Sequence, residues 1–174
     1  LAEELFDALN YASTDQSLKA LILTGKGKLF CGGGDLKYLL DNKESVKETL
    51  LKMTHYFHGA ISRIVKLGIP VIVGINGTAG GGGFSLAITG DIIYSIKSAK
   101  FTLAYTKAGL SPDGSSTYFL PRIVGLKKAK ELMLTNRLFS AEEALKMGLI
   151  DKVIEKEELL EEELHKQAET FSKG

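Results

Sequence analysis

The stretch Ile69 to Asp91 leaves this chain the least freedom. Val71, Ile72, Val73 and Ile75 form a short β-branched run suited to a strand buried on both faces, and Asn76-Gly77 ends it with a turn signal. Gly80 to Gly83 follow, four residues without a Cβ, so another molecule can lie directly against bare peptide N–H groups. Phe84, Leu86, Ala87 and Ile88 then begin an apolar helix. The first N–H groups of such a helix have no internal partner, and its dipole favours negative charge. Strand, glycines and helix start together predict a turn that faces an anion.

A second cluster repeats this logic. In Leu29-Phe30-Cys31-Gly32-Gly33-Gly34-Asp35-Leu36 a short apolar edge runs into three glycines and then a helix beginning near Asp35. Any anionic ligand must be held at such local features, because 22 basic and 21 acidic residues leave a formal charge of +1. That balance gives no global field for nucleic acid or an anionic membrane. The single cysteine, Cys31, excludes an internal disulfide, and no Cys/His spacing suggests a metal site. The expected setting is reducing and cytoplasmic, with no membrane span.

The remaining elements alternate. Leu1, Leu5, Ala8 and Leu9 mark an opening helix to about Ala12, and Leu18 to Thr24 a strand. Glu44 to Lys66 reads as a long helix with a Ser45/Glu48 capping box. His55 and His58 lie on it three apart; without a third ligand they read as polar-face residues with no role. Asp91 to Ile96 and Phe101 to Leu103 are extended, and Lys107 to Pro121 reads as a loop that places Asp113 in a Pro-Asp-Gly turn. Gly125 to Asn136 is helical, and Ser140-Ala141-Glu142-Glu143 opens a further helix that Gly148 ends. Ile150 to Ile154 is a last strand or extended link, and the charged segment after it carries a narrow stripe of Leu159, Leu160, Leu164 and Ala168 that needs cover. Alternation of this kind points to an α/β fold, with a core over residues 1–154 and the start of a helical region over 155–174.

Neither glycine run fits a dinucleotide fingerprint, and no phosphate-loop pattern occurs. Ser85 raises a serine nucleophile, but Ala87 breaks the Gly-x-Ser-x-Gly elbow and the histidine would have to be a distant one such as His165. What remains is an oxyanion hole made from one N–H of each glycine turn, holding a carbonyl oxygen as it becomes an enolate. That chemistry also needs a carboxylate base.

These motifs, from Thr24-Gly25 through Gly32-Gly33-Gly34-Asp35-Leu36 and Ile69-Pro70 through Gly83 to Asp91, resemble the two signatures of the crotonase, or enoyl-CoA hydratase/isomerase, superfamily. Ser140 to Ala144, Met147-Gly148-Leu149, Gly109 to Pro112 and Leu120 to Gly125 extend the resemblance through nearly the whole chain. It implies a spiral of ββα units with peripheral helices, and homotrimers or pairs of trimers. The ligand it implies is an acyl-coenzyme A thioester, with coenzyme A belonging to the substrate and no separate cofactor. It also implies that strands before the first helix and helices beyond Gly174, present in full-length relatives, are missing here.

By position the resemblance puts the oxyanion donors on the N–H groups of Gly34 and Gly82, makes Gly32 and Leu36 coenzyme A contacts, and adds Ser85 and Tyr105 to the ligand site. Hydratases of the family carry glutamates where this chain has Ser85 and Tyr105, whereas Asp113 matches the single acid of some enoyl-CoA isomerases. The expectation is therefore isomerisation of a 3-enoyl to a 2-enoyl thioester with Asp113 as acid/base. Hydration, ring isomerisation of an epoxide thioester, a Clp-like protease using Ser85, and a non-catalytic homologue binding RNA or protein are the alternatives. The charge balance speaks against RNA.

Overall fold

The computed structural model describes residues 1–172. After Ala2–Thr14 (α1), the chain winds through units in which two strands are followed by helix. Leu21–Thr24 (β1) and Leu29–Cys31 (β2) lead into Leu36–Asp41 (α2) and Val46–Val65 (α3). Val71–Ile75 (β3) and Thr78–Gly80 (β4) lead into Gly82–Ala87 (α4). Ile92–Ile96 (β5) and Lys100–Thr102 (β6) lead into Ser116–Val124 (α5) and Leu126–Thr135 (α6). Phe139–Ser140 (β7), Ala141–Lys146 (α7), Lys152–Ile154 (β8) and Leu160–Ser172 (α8) complete the described chain.

The first strand of each unit joins one sheet, in the order β1-β3-β5-β8, and the second joins another, in the order β2-β4-β6-β7. All pairings are parallel except β6 with β7. β3 is buried along its whole length, as its β-branched run requires. Each of its Val and Ile side chains, almost wholly removed from water, contributes roughly 1.5–3 kcal/mol of burial. Its glycine has a packing reason: a Cβ on Gly74 would stand 2.3 Å from the Leu164 side chain of α8. The strand entries are fixed by carboxylates. Asp91 accepts from the Val71 N–H at 2.8 Å and returns its own N–H to the Val71 carbonyl; Asp151 pairs with Ile93 in the same way.

Several expectations need correction. The segment before Pro121 is not loop throughout, because α5 starts at Ser116 and carries Pro121 inside it. The proline forfeits one helical bond, and the carbonyl this releases belongs to exposed Thr117, which water can reach. The Ser45 capping box does not form: Lys43–Ser45 make a 3-10 turn into α3, and the Ser45 hydroxyl turns back toward the Asn42 carbonyl. β4 was too short for its periodicity to be visible in a sequence. The cover for the C-terminal stripe is within the chain, since α8 buries Leu160 and Leu164 against the first sheet. The last two residues of the expected region 155–174 lie outside the described residues. No helix among those described is long and apolar enough to cross a membrane.

Candidate active site

Pairing of β2 with β4 brings the two glycine turns side by side. Contact is so close that only glycine fits. A Cβ on Gly33, at φ +94°, would be 2.8 Å from the Gly80 carbonyl oxygen and 2.9 Å from the Gly82 nitrogen. One on Gly83 would be 2.1 Å from the Cys31 carbonyl oxygen. Gly82 opens α4, so its N–H has no partner within the helix. Gly32 and Gly34 are exposed on the other turn, and Asp35 is occupied in capping α2, accepting from the Tyr38 N–H at 2.9 Å. Leu36 follows with more than half its surface open.

Asp113 lies on a third turn. The two residues after it are both left-handed, Gly114 at φ +60° and Ser115 at φ +65°. Crowding adds to the demand at Gly114, where a Cβ would stand 2.7 Å from both the Phe57 ring and the Ser85 Cβ. The same Phe57 ring lies 3.4 Å from where a Gly82 Cβ would be, so one side chain of α3 is wedged between the Gly82 turn and the Asp113 turn.

The main-chain carbonyl of Asp113 is surrounded by donors. It accepts from the Ser85 hydroxyl at 2.8 Å, the Ser116 hydroxyl at 2.8 Å and the Ser116 N–H at 3.2 Å, and the Tyr105 hydroxyl oxygen also lies 3.2 Å away. Ser85 Oγ and Tyr105 OH are themselves 2.7 Å apart. Ser85 has one proton; when it goes to the Asp113 carbonyl, Tyr105 is the donor of that bond. Burial pushes the Tyr105 hydroxyl up to about 12, so it stays a donor across the neutral range.

The Asp113 carboxylate points away from this cluster. Its Oδ1 lies 2.8 Å from His58 Nε2 on α3, with roughly half of each side chain exposed. An ionised carboxylate accepts here, which requires the proton on Nε2. His58 is thus a site residue that the sequence reading dismissed. No sequence signal marked it, because its partner lies 55 positions away on another element. His55 is exposed, with its ring edge-on to Tyr56.

Ser85 and Tyr105 are not positioned as ligand contacts. Ser85 has no exposed surface and Tyr105 has little, and both hydroxyls are bonded inward. The same burial removes the protease reading, since none of the hydrogen-bond partners of Ser85 is a histidine and His165 sits on α8, largely exposed, near Glu161. Gly34, Gly82 and Asp113 lie on three turns linked through Gly33, Phe57 and Ser85. Among the described residues no group of three His, Cys, Asp or Glu is arranged to hold a metal.

Comparison with known proteins places this geometry. The family model described as enoyl-CoA hydratase/isomerase matches residues 1–174. The 1,2-epoxyphenylacetyl-CoA isomerase of Escherichia coli (strain K12) is 36% identical over 157 residues, covering 90% of this chain and 60% of that protein. The 4-chlorobenzoyl coenzyme A dehalogenase-1 of an Arthrobacter species is 34% identical over 151 residues, covering 86% of this chain and 55% of the dehalogenase. The chain thus spans little more than half the length of these curated relatives. Among solved structures, the enoyl-CoA hydratase from Bacillus halodurans superposes with a TM-score of 0.92 at 31% identity, covering 100% of this chain and 70% of the other. With the winding of its two sheets, its paired glycine turns and a match along its whole length, this chain belongs to the enoyl-CoA hydratase/isomerase, or crotonase, superfamily.

Proposed function

We propose that this chain forms the catalytic core of an enoyl-CoA isomerase that moves a double bond from C3 to C2 of an acyl-coenzyme A thioester. The observation that carries the reading is the tie between base and oxyanion turn. Ser85, three residues after Gly82, donates to the main chain of Asp113 at 2.8 Å, so the acid is attached to the helix start that supplies a donor. His58 occupies Oδ1 of the carboxylate and leaves Oδ2 to the substrate.

In this mechanism the Asp113 carboxylate takes the proton from C2. The electron pair moves into the thioester, whose oxygen becomes a dienolate held by the N–H groups of Gly34 and Gly82. The carboxylic acid then returns the proton at C4, and the C3–C4 double bond becomes C2–C3. One acid suffices. Hydration requires a second group to position and deprotonate water. The hydroxyls of Ser85 and Tyr105 are buried and engaged with Asp113, which leaves them unsuited to that task. Gly32 and exposed Leu36 are the proposed coenzyme A contacts, coenzyme A entering as part of the substrate. A homotrimer or pair of trimers and a cytoplasmic location in fatty acid metabolism go with the reading.

The test is to incubate the protein separately with a 3-enoyl-CoA and a trans-2-enoyl-CoA. Conjugation of the former without mass change is expected, seen as absorbance of the 2-enoyl thioester. Addition of one water to the latter, with the former untouched, would mean a hydratase. A second reading is favoured by the His58–Asp113 pair, because a carboxylate oriented by an imidazole N–H is also a nucleophile. The similarity to the dehalogenase makes 4-chlorobenzoyl-CoA the probe for it. Chloride release from that thioester, with no conjugation of 3-enoyl-CoA, would replace the first reading with the second.

A further inference from the structure

We infer that Ser85 and Tyr105 are positioning residues for Asp113, a buried hydroxyl pair that holds the strained turn after it so that the carboxylate meets the glycine turns. The inference rests on Asp113 being the acid/base. It goes beyond that assignment in giving work to two side chains that touch no substrate.

Three observations converge. First, the Asp113 carbonyl takes three donors within 3.2 Å, one of them held in turn by Tyr105, although a carbonyl oxygen has two lone pairs. Satisfying the polar group alone would not need so many; the surplus fixes where the peptide lies. Second, left-handed backbone at non-glycine residues flanks both Tyr105 and Asp113. Ala104, at φ +57°, directly precedes Tyr105, and Ser115, at φ +65°, lies two residues after Asp113. Asn136, whose left-handed backbone is an ordinary cap of α6, accepts from Thr102 at 3.0 Å through its carbonyl and bonds Thr106 through its side chain, gripping the segment on both sides of Tyr105. Backbone such as that of Ala104 and Ser115 persists only where its surroundings over-determine it. Third, Ser85 could satisfy itself inside its own helix, where the Gly81 carbonyl is 3.4 Å away, yet its shorter bond crosses to the Asp113 loop at 2.8 Å.

A hydroxyl pair that merely filled the core would affect stability and leave the acid where it is. A positioning pair moves Asp113 when it is cut. The geometry therefore predicts that Tyr105→Phe and Ser85→Ala each lower kcat on a 3-enoyl-CoA by about 10- to 100-fold with KM within about twofold, the size of effect a displacement of about 1 Å produces. The double variant should lose little more than either single one, since both act through one carbonyl. The His58 imidazole resonances, which report its bond to Asp113, should shift in each variant.

Unchanged kcat and unchanged His58 resonances in Tyr105→Phe, with Asp113→Asn inactive, would overturn the inference and leave the isomerase intact. A loss carried entirely by KM would also overturn it, by making the pair a ligand contact. Full activity in Asp113→Asn would instead remove the reading underneath. Tyr105→Phe keeps the ring and its packing, so it decides the matter alone if Ser85→Ala fails to fold.

Discussion

The two glycine turns start from the same local pattern and end in opposite environments. After the Gly80–Gly83 turn, every residue of α4 from Gly83 to Ala87 is buried. After the Gly32–Gly34 turn, no residue of α2 is buried, and Leu36, Tyr38 and Leu40 are all exposed. The sequences account for it. Gly82-Gly83-Phe84-Ser85-Leu86-Ala87 has no charged residue and can be enclosed, whereas Leu36-Lys37-Tyr38-Leu39-Leu40-Asp41 carries charges at both ends of a short apolar run. One turn is fixed by the core before any ligand arrives. The other keeps apolar surface in water, where it can gain from a ligand.

This contrast can be broken by substitution. Gly83→Ala sets a Cβ against the backbone and side chain of Cys31, at 2.1 and 2.6 Å, and should cost about 3 kcal/mol or more in urea unfolding. A smaller effect comes from Tyr105. Its hydroxyl is pushed up to about 12 by burial, so the folded state holds that proton more tightly than the unfolded chain. The resulting stability is fully present below about pH 10 and is lost as pH rises toward 12, roughly 2–3 kcal/mol in all. Tyr105→Phe should flatten that part of the stability profile relative to the parent. Leu36→Ser should raise KM for a coenzyme A thioester by about three- to tenfold, from roughly 1 kcal/mol of lost apolar contact, with the unfolding midpoint unmoved. Smallest is Gly34→Ala. A Cβ there meets nothing within 4 Å, so stability should change by no more than about 0.5 kcal/mol. Equal destabilisation by Gly34→Ala and Gly83→Ala would dissolve the distinction between the turns.

What the sequence revealed follows the same division. Main-chain features were legible: the β-branched run of β3, the glycines that only a close approach explains, and the Ser140 cap, whose hydroxyl accepts from the Glu143 N–H at 3.2 Å. The two glycine turns that carry the proposed donors belong to this class. Side-chain partnerships across long separations were not legible. His58 and Asp113 are 55 positions apart on elements with no shared periodicity, and only the winding of the units brings Nε2 to Oδ1. Ser85 and Tyr105 were placed on the site and given the wrong direction. Nothing in a serine or a tyrosine states whether its hydroxyl faces a ligand or a carbonyl 28 or 8 residues away. The start of α5 was missed for a local reason: Pro112 and Pro121 together suggest loop, while the left-handed pair Gly114–Ser115 turns the chain directly into a helix.

On the proposed mechanism one carboxylate, tied through Ser85 to the helix after the Gly80–Gly83 turn, moves the proton. Its most direct test is Asp113→Asn assayed on a 3-enoyl-CoA beside the parent, with unfolding midpoints of both. A fall in kcat of about 10²- to 10⁴-fold with the fold intact is expected. Conjugation at the parent's rate in the folded Asp113→Asn protein would contradict it.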